Sequence, residues 1–429
     1  MPRPASRLYY GWVVAAVAFV TMAIAINLRT SFSIFFVYLI EEFRWGRGVT
    51  ALAFSLNMLM YTLISPAIGW LLDRHGPRLV LPLAAAALSV GMAGSGLINE
   101  LWQFYLFQGL LVGVSTGGLG YTAHSVFLPN WFVRQRGLAI GLAFSGVGVG
   151  ALLILPGIQW LISMAGWRWS YVLLGVLALI VLAPLNGRFQ RRGPEEFGLL
   201  PDGDRAASRG GERMRRVLLV VDPSWAATDW TVGRAVQTRR FWLVSGAFFL
   251  TLFAWYLVQV HQVAHVVDQG YSRGLAASIL GASGIMASAA AILWGGISDR
   301  IGREPVWALA CAGYVVASLL LLALRPESVW MLYALVFFQG FLGGGLTPLY
   351  ASIPAEIFGG RHFGAVFGCL SVGGGLGSAL GPWLGGLIYD ATGSYRTAFG
   401  LALGAAAASA LFIWVAAPRK VRRVGRGSQ

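Results

Sequence analysis

The sequence predicts an all-α membrane protein of twelve transmembrane helices, arranged as two six-helix pseudo-symmetric halves. Three observations carry that prediction. The 429 residues are 57% hydrophobic and 11% charged, whereas soluble domains carry about 25% charged residues. Twelve apolar runs follow one another, most with the ~20 residues needed to cross a bilayer core. Finally, the second half repeats the first: GWLLDRHG at 69–76 returns as GGISDRIG at 295–302, an offset of 226 residues. At that offset Phe132 falls on Phe358, Ala139 on Ala365, Ser145 on Ser371 and Gly148 on Gly374.

The elements follow in order. Helix 1, 10–39, opens with YYGWVV and carries Arg29 well inside its apolar run. Helix 2, 50–72, holds Asn57 and ends in the first DRHG turn, which leads to helix 3, 78–98. Helix 4, 101–128, contains FQG at 107–109 and then Tyr121, His124 and Ser125 at i, i+3, i+4. Helices 5 and 6, 137–164 and 167–187, complete a first half assigned to 1–188. A connection follows at 189–240. Its charged, Gly-rich part, 191–216, reads as largely disordered, and 229–242 reads as an interfacial helix anchored by Arg239 and Arg240. The second half, 241–417, comprises helices at 241–267, 275–298, 304–324, 327–355, 363–389 and 394–417. A basic tail, 418–429, suits anionic headgroups. Cys311 and Cys369 fall in apolar segments and are expected as free thiols. No cleavable leader is evident before helix 1.

Charge gives the topology. The net charge is +15, but 25 Lys/Arg lie on the face holding both termini and the 189–240 connection, against six on the other. The six are Arg44, Arg47, Arg168, Arg273, Arg325 and Arg396. The positive-inside rule therefore puts both termini in the cytoplasm of a multi-pass cell-membrane protein, the inner membrane if the source is bacterial. The basic excess is topological, so no nucleic-acid partner is expected.

Arg29 is the best clue to function. An arginine at bilayer depth costs ~2.5–3.5 kcal/mol on insertion scales and does not shed its charge. An anion in a central cavity would offset that cost. Asn57, Tyr121, His124 and Tyr350 are the polar residues expected to join it from helices 2, 4 and 10. His261, His265 and Asp268 recur at i, i+4, i+7 on helix 7, near its outer end, and fit a proton-coupling relay or an outer gate. No metal site, cofactor or catalytic residue is expected. The only lysine is Lys420, so no Walker A loop drives this chain, and ion gradients or exchange remain as energy sources. Two six-helix repeats about a long connection form a parallel-repeat transporter layout.

The G-x-x-x-D-R-x-G element, present once per half, resembles the signature of the major facilitator superfamily. Asp73, Arg74, Asp299 and Arg300 are its charged residues, expected at an inner gate. Within that superfamily, three stretches resemble the monocarboxylate porter and oxalate–formate antiporter group: YYGWVV, WFVRQRGLAIGLAFSGVGVG at 131–150, and HQVAHVVDQGYS at 261–272. The resemblance implies a secondary transporter of a small organic anion, a monocarboxylate for preference, with proton symport and alternating access. Anion:anion antiport and proton-coupled export of hydrophobic compounds are the alternatives. Characterised members place an arginine in helix 8; here that helix carries no charge, which leaves Arg29 as the cation. Expected partners are a small carboxylate, protons and the bilayer, with the chain acting as a monomer. A cysteine placed at Ser208 and one placed at Thr392 should react with an impermeant thiol reagent from opposite sides of intact cells. Labelling of both from outside would refute this topology.

Overall fold

In the computed structural model, the described residues are 9–132, 135–203, 218–360 and 362–424. All twelve helices are present. Helix 1 is Tyr10–Phe43, helix 2 Arg47–His75 and helix 3 Pro77–Ser95. Helix 4 runs through 101–131 in pieces. A π-helical stretch, Tyr105–Leu111, spans its FQG, and the chain breaks again at Gly120. Helices 5 and 6 form one run, Arg136–Phe189, turned sharply at Gly166, whose φ of 76° favours glycine. Helices 7 to 9 are Arg239–Asp268, Arg273–Ile301 and Arg303–Ala323. Helix 10, Val329–Phe358, repeats the π-helical stretch at its own FQG, Val336–Leu342. Helices 11 and 12 are Phe363–Thr392 and Arg396–Ala416. Ten of these stretches are long and apolar enough by themselves to cross a membrane, among the described residues.

The halves meet along small residues. A Cβ on Gly281 of helix 8 would lie 2.6 Å from the Ala151 carbonyl oxygen of helix 5, and one on Gly386 of helix 11 would lie 2.5 Å from that of Arg47. Backbones thus approach as closely as small-residue membrane interfaces allow.

The connection departs from the sequence expectation. Residues 190–203 fold under the first half rather than staying free. Trp131 donates to the Arg191 carbonyl (3.1 Å), Asn130 to that of Arg192 (3.1 Å), and the Phe197 ring packs tilted against Tyr10 with centres 4.5 Å apart. Residues 204–217, with Ser208, lie outside the described residues. No single interfacial helix forms at 229–242. Two short turns, Pro223–Ala227 and Val232–Ala235, are N-capped by Asp222 and Thr231 and pack on the second half. Trp225 donates to the Ile357 carbonyl (2.8 Å), and Arg240 stacks 4.1 Å from its ring. Asp222 is held below the usual carboxylate range by the Ser224 hydroxyl and the Trp225 amide.

The tail is likewise folded back. The Arg419 amide donates to buried Glu304 (2.8 Å), and Arg422–Val424 pairs antiparallel with Leu218–Val220. These two three-residue strands are a small exception to the all-α expectation.

Two aromatic clusters follow the repeat. Phe132 sits 5.7 Å from Tyr9 and 4.9 Å from Trp12, while Phe358 sits 5.3 Å from Trp230 and 6.2 Å from Trp225. In the first half the cluster is formed at the start of helix 1, and in the second by the segment that precedes helix 7.

Candidate functional site

A cavity of about 690 Å³ lies between the halves, walled by helices 1, 4, 5, 7, 8, 9 and 10. Arg29 faces it, 5% exposed, with its guanidinium carbon 5.3 Å from the centre of the Tyr61 ring. It has no hydrogen bond or ion pair among the described residues, and its Nε is a buried donor without an acceptor. Of the expected companions, Tyr121 and Tyr350 line the same cavity, with Asn27, Thr30 and Thr347. Asn27 is also held in place, its amide donating to the Ala23 and Val147 carbonyls.

Asn57 and His124 do not line this cavity, which corrects the expectation for both. The Asn57 amide donates to the Gln108 carbonyl (2.8 Å), inside the first half, where Gly113 crosses helix 2. His124 is wholly buried and its Nδ1 lies 2.9 Å from the Gly120 carbonyl. A carbonyl only accepts, so Nδ1 carries the hydrogen and the ring satisfies the break in helix 4. Ser33, one turn beyond Arg29, donates to the Gln259 carbonyl of helix 7 (2.8 Å). Residues that the sequence reading missed line the opposite wall: Trp255, Tyr256 and Gln259 of helix 7, Ser283 of helix 8 and Gln339 of helix 10. Spacing held the signal, because Tyr256 and Gln259 share a helix-7 face at i, i+3.

One end of the cavity is sealed, and Arg47 is the centre of the seal. Its guanidinium donates to both Asp268 oxygens (2.7 and 3.1 Å) and to the Tyr395 hydroxyl (2.8 Å), and stacks 3.7 Å from Tyr389. The Arg47 and Gly48 amides, at the start of helix 2, both donate to Asp390 of helix 11 (2.7 Å each). Glu41 and Arg273 add a second bond between the halves at 2.6 Å. Burial keeps the Tyr395 hydroxyl protonated beyond the ordinary tyrosine range.

His261 belongs to this cluster. Its Nε2 lies 2.7 Å from the Pro382 carbonyl and its Nδ1 3.1 Å from Tyr395 Oη. The carbonyl fixes the hydrogen on Nε2, leaving Nδ1 to accept from the tyrosine. His265 instead donates from Nε2 to the Leu321 carbonyl (2.8 Å) of helix 9. The three helix-7 residues therefore do lie together, but two of them join a seal whose principal residue, Arg47, had counted only as a charge on the sparse face. No group of three potential metal ligands occurs among the described residues.

At the opposite end the cavity wall reaches Gly141 and Ser145 near the start of helix 5 and Ile292 near the end of helix 8. Of the repeated D-R residues, Asp73, Arg74 and Arg300 are exposed there. Asp299 pairs instead with Arg303 (2.8 Å), which also bonds Glu356 (2.7 Å). At the repeat positions of Arg303 and Glu356 the first half has Pro77 and Asn130, which carry no charge.

A family model described as Major Facilitator Superfamily matches residues 15–326 and 244–429. Monocarboxylate transporter 13 of Bos taurus is 27% identical over 91% of this chain and 85% of its own. The oxalate:formate antiporter of Oxalobacter formigenes is 25% identical over 86% and 84%. Among solved structures, a bacterial homolog of the human lysosomal transporter Spinster, inward-facing and unoccupied, superposes with a TM-score of 0.68 at 18% identity. That match covers 97% of this chain and 98% of the other and bears on the fold alone.

Removing Arg47 or Asp268 should loosen the sealed end. Hydrogen bonds to charged groups contribute ~1.5–3 kcal/mol, so Arg47→Ala should shift the population by roughly tenfold or more toward a form open there. A cysteine at Leu387, beside Gly48, should then react faster with an impermeant thiol reagent. The exchanged pair Arg47→Asp with Asp268→Arg should recover part of the protection. Unchanged reactivity in Arg47→Ala would show that packing alone holds the seal.

Proposed function

The chain belongs to the major facilitator superfamily, and on that premise we propose that it is a secondary transporter of a small monocarboxylate, coupled to protons by symport and working through alternating access. It is a multi-pass membrane protein of a transporter family and not an enzyme. The observation that carries the substrate reading is Arg29: a buried guanidinium without a counter-ion among the described residues, facing a cavity between the halves. A planar guanidinium suits a carboxylate bidentately. The similarity to transporters named for monocarboxylates supports the same choice.

With the positive-inside assignment, the Arg47 seal is extracellular and the cavity opens inward. Alternating access then requires the Arg47–Asp268–Asp390 contacts to part while the opposite end closes, and that is where the exposed Asp73, Arg74 and Arg300 would act. His261 is the favoured coupling group, because Tyr395 joins it directly to Arg47. A proton on Nδ1 takes away the acceptor of the Tyr395 hydroxyl and sets a second cation beside Arg47, so it favours opening of the outer end. His265, bonded only to Leu321, is the weaker candidate. Exchange of two anions is the second reading, favoured by the similarity to the oxalate:formate antiporter. Counterflow insensitive to pH would support it.

Arg29→Ala should abolish saturable carboxylate uptake in proteoliposomes while the protein still inserts. Arg29→Lys should retain weak uptake, keeping the charge but losing the fork. Uptake at wild-type affinity in Arg29→Ala would refute the carboxylate site.

For coupling, substrate affinity should rise as external pH falls, since proton and substrate favour one state change and linkage is reciprocal. His261→Gln should flatten that profile and leave counterflow intact, and His265→Gln should flatten it less. Asp268→Asn should shift the profile instead, by removing a charge that favours the imidazolium. Undiminished proton-driven accumulation in the double His261→Gln/His265→Gln variant would exclude both histidines.

A further inference from the structure

Building on the carboxylate reading of Arg29, we infer that the substrate is a monocarboxylate with an aromatic or similarly bulky apolar body and no ammonium group. Short aliphatic acids, dicarboxylates and amino acids are the poorer ligands. Size is the first argument. Cavities of ~300–1,000 Å³ enclose ligands of drug size, and this one measures about 690 Å³. An acid as small as acetate, held on Arg29, leaves most of that volume to water.

The walls are the second argument. Tyr121 and Phe144 stand edge-to-face on the first half with ring centres 5.0 Å apart, and Trp255 and Tyr314 lie 5.6 Å apart on the second. Tyr256 and Tyr350 complete an aromatic lining on both sides of the gap. Such side chains receive a ring in offset or edge-on geometry and reward its burial well beyond that of a methyl group.

Charge is the third. Among the described residues that line the cavity, Arg29 is the only charged one, and the remaining polar lining is neutral amide and hydroxyl, from Gln259, Gln339 and Ser283 among others. A single guanidinium holds one carboxylate. A second carboxylate, or an α-ammonium, enters without a countercharge, and an unpaired charge against a largely apolar wall is disfavoured. The site therefore discriminates by what it lacks as well as by what it holds.

The test is calorimetric titration of the purified full-length protein with 2-naphthylacetate, phenylacetate, acetate, pyruvate, oxalate, phenylalanine and phenylacetamide at one pH. The arylacetates should bind at least ~10-fold more tightly than acetate or pyruvate. Oxalate, phenylalanine and phenylacetamide should be weaker than phenylacetate by a similar factor or more. Tyr256→Leu should shrink the advantage of naphthylacetate over pyruvate several-fold, whereas a purely structural role would weaken both alike. Phe144→Leu, on the other wall, gives the same readout if the first variant does not fold. Pyruvate binding as tightly as naphthylacetate overturns this inference and leaves the carboxylate reading standing. Oxalate or phenylalanine matching phenylacetate overturns the charge argument. Phenylacetamide matching phenylacetate, or no acid binding at all, overturns the carboxylate reading itself.

Discussion

The arrangement depends on one arginine at the start of helix 2. Arg47 touches helix 7 through Asp268, helix 11 through Asp390 and the entry to helix 12 through Tyr395. Its guanidinium is largely covered, while the Asp268 carboxylate that accepts from it stays about a third exposed (34%) at the rim. With Glu41–Arg273 beside it, this knot holds the two halves together at one end and so decides which end of the cavity is open. Arg29, on the preceding helix, faces that cavity.

The two arginines divide the work by environment. Arg47 has acidic and aromatic partners on every side and acts as a structural cation. Arg29 has an aromatic face at Tyr61 and, among the described residues, no anion. Identical side chains thus play opposite parts, one satisfied by the protein and one left for something else to satisfy. Ser33, on the helix of Arg29, holds the backbone of Gln259, whose side chain lines the cavity.

Much of this was legible in the sequence. Apolar length gave twelve helices, the DR turns gave the repeat, and a lone charge in an apolar run gave Arg29. What failed was the choice of helix face. Tyr121 and His124 looked like companions at i, i+3, but helix 4 breaks at Gly120, and the break itself claims the histidine. Asn57 is polar for the sake of a helix crossing at Gly113. Arg47 went unread because its acids lie 221 and 343 residues away, a distance no local pattern spans. The π-helical stretches over both FQG elements were also invisible, since a widened turn has no periodic signature, although the repeated glycine marks where helices 4 and 10 press on helices 2 and 8.

The paired aromatic clusters carry a consequence for biogenesis. Tyr9 and Trp12 pack on Phe132, and Trp225 and Trp230 on Phe358, so these ring contacts do not wait on the other half of the chain. As the polypeptide leaves the ribosome, the first six helices can be clasped before the seventh enters the membrane, in keeping with N-terminal units folding first. Arg47 has no such early partner. Asp268 arrives with helix 7 and Asp390 only with helix 11, so during insertion that guanidinium stays at the water-facing margin of an otherwise finished bundle. The lock between the halves is completed late: a nascent chain halted before helix 11 would hold Asp268 and Arg273 in place but not yet Asp390 or Tyr395.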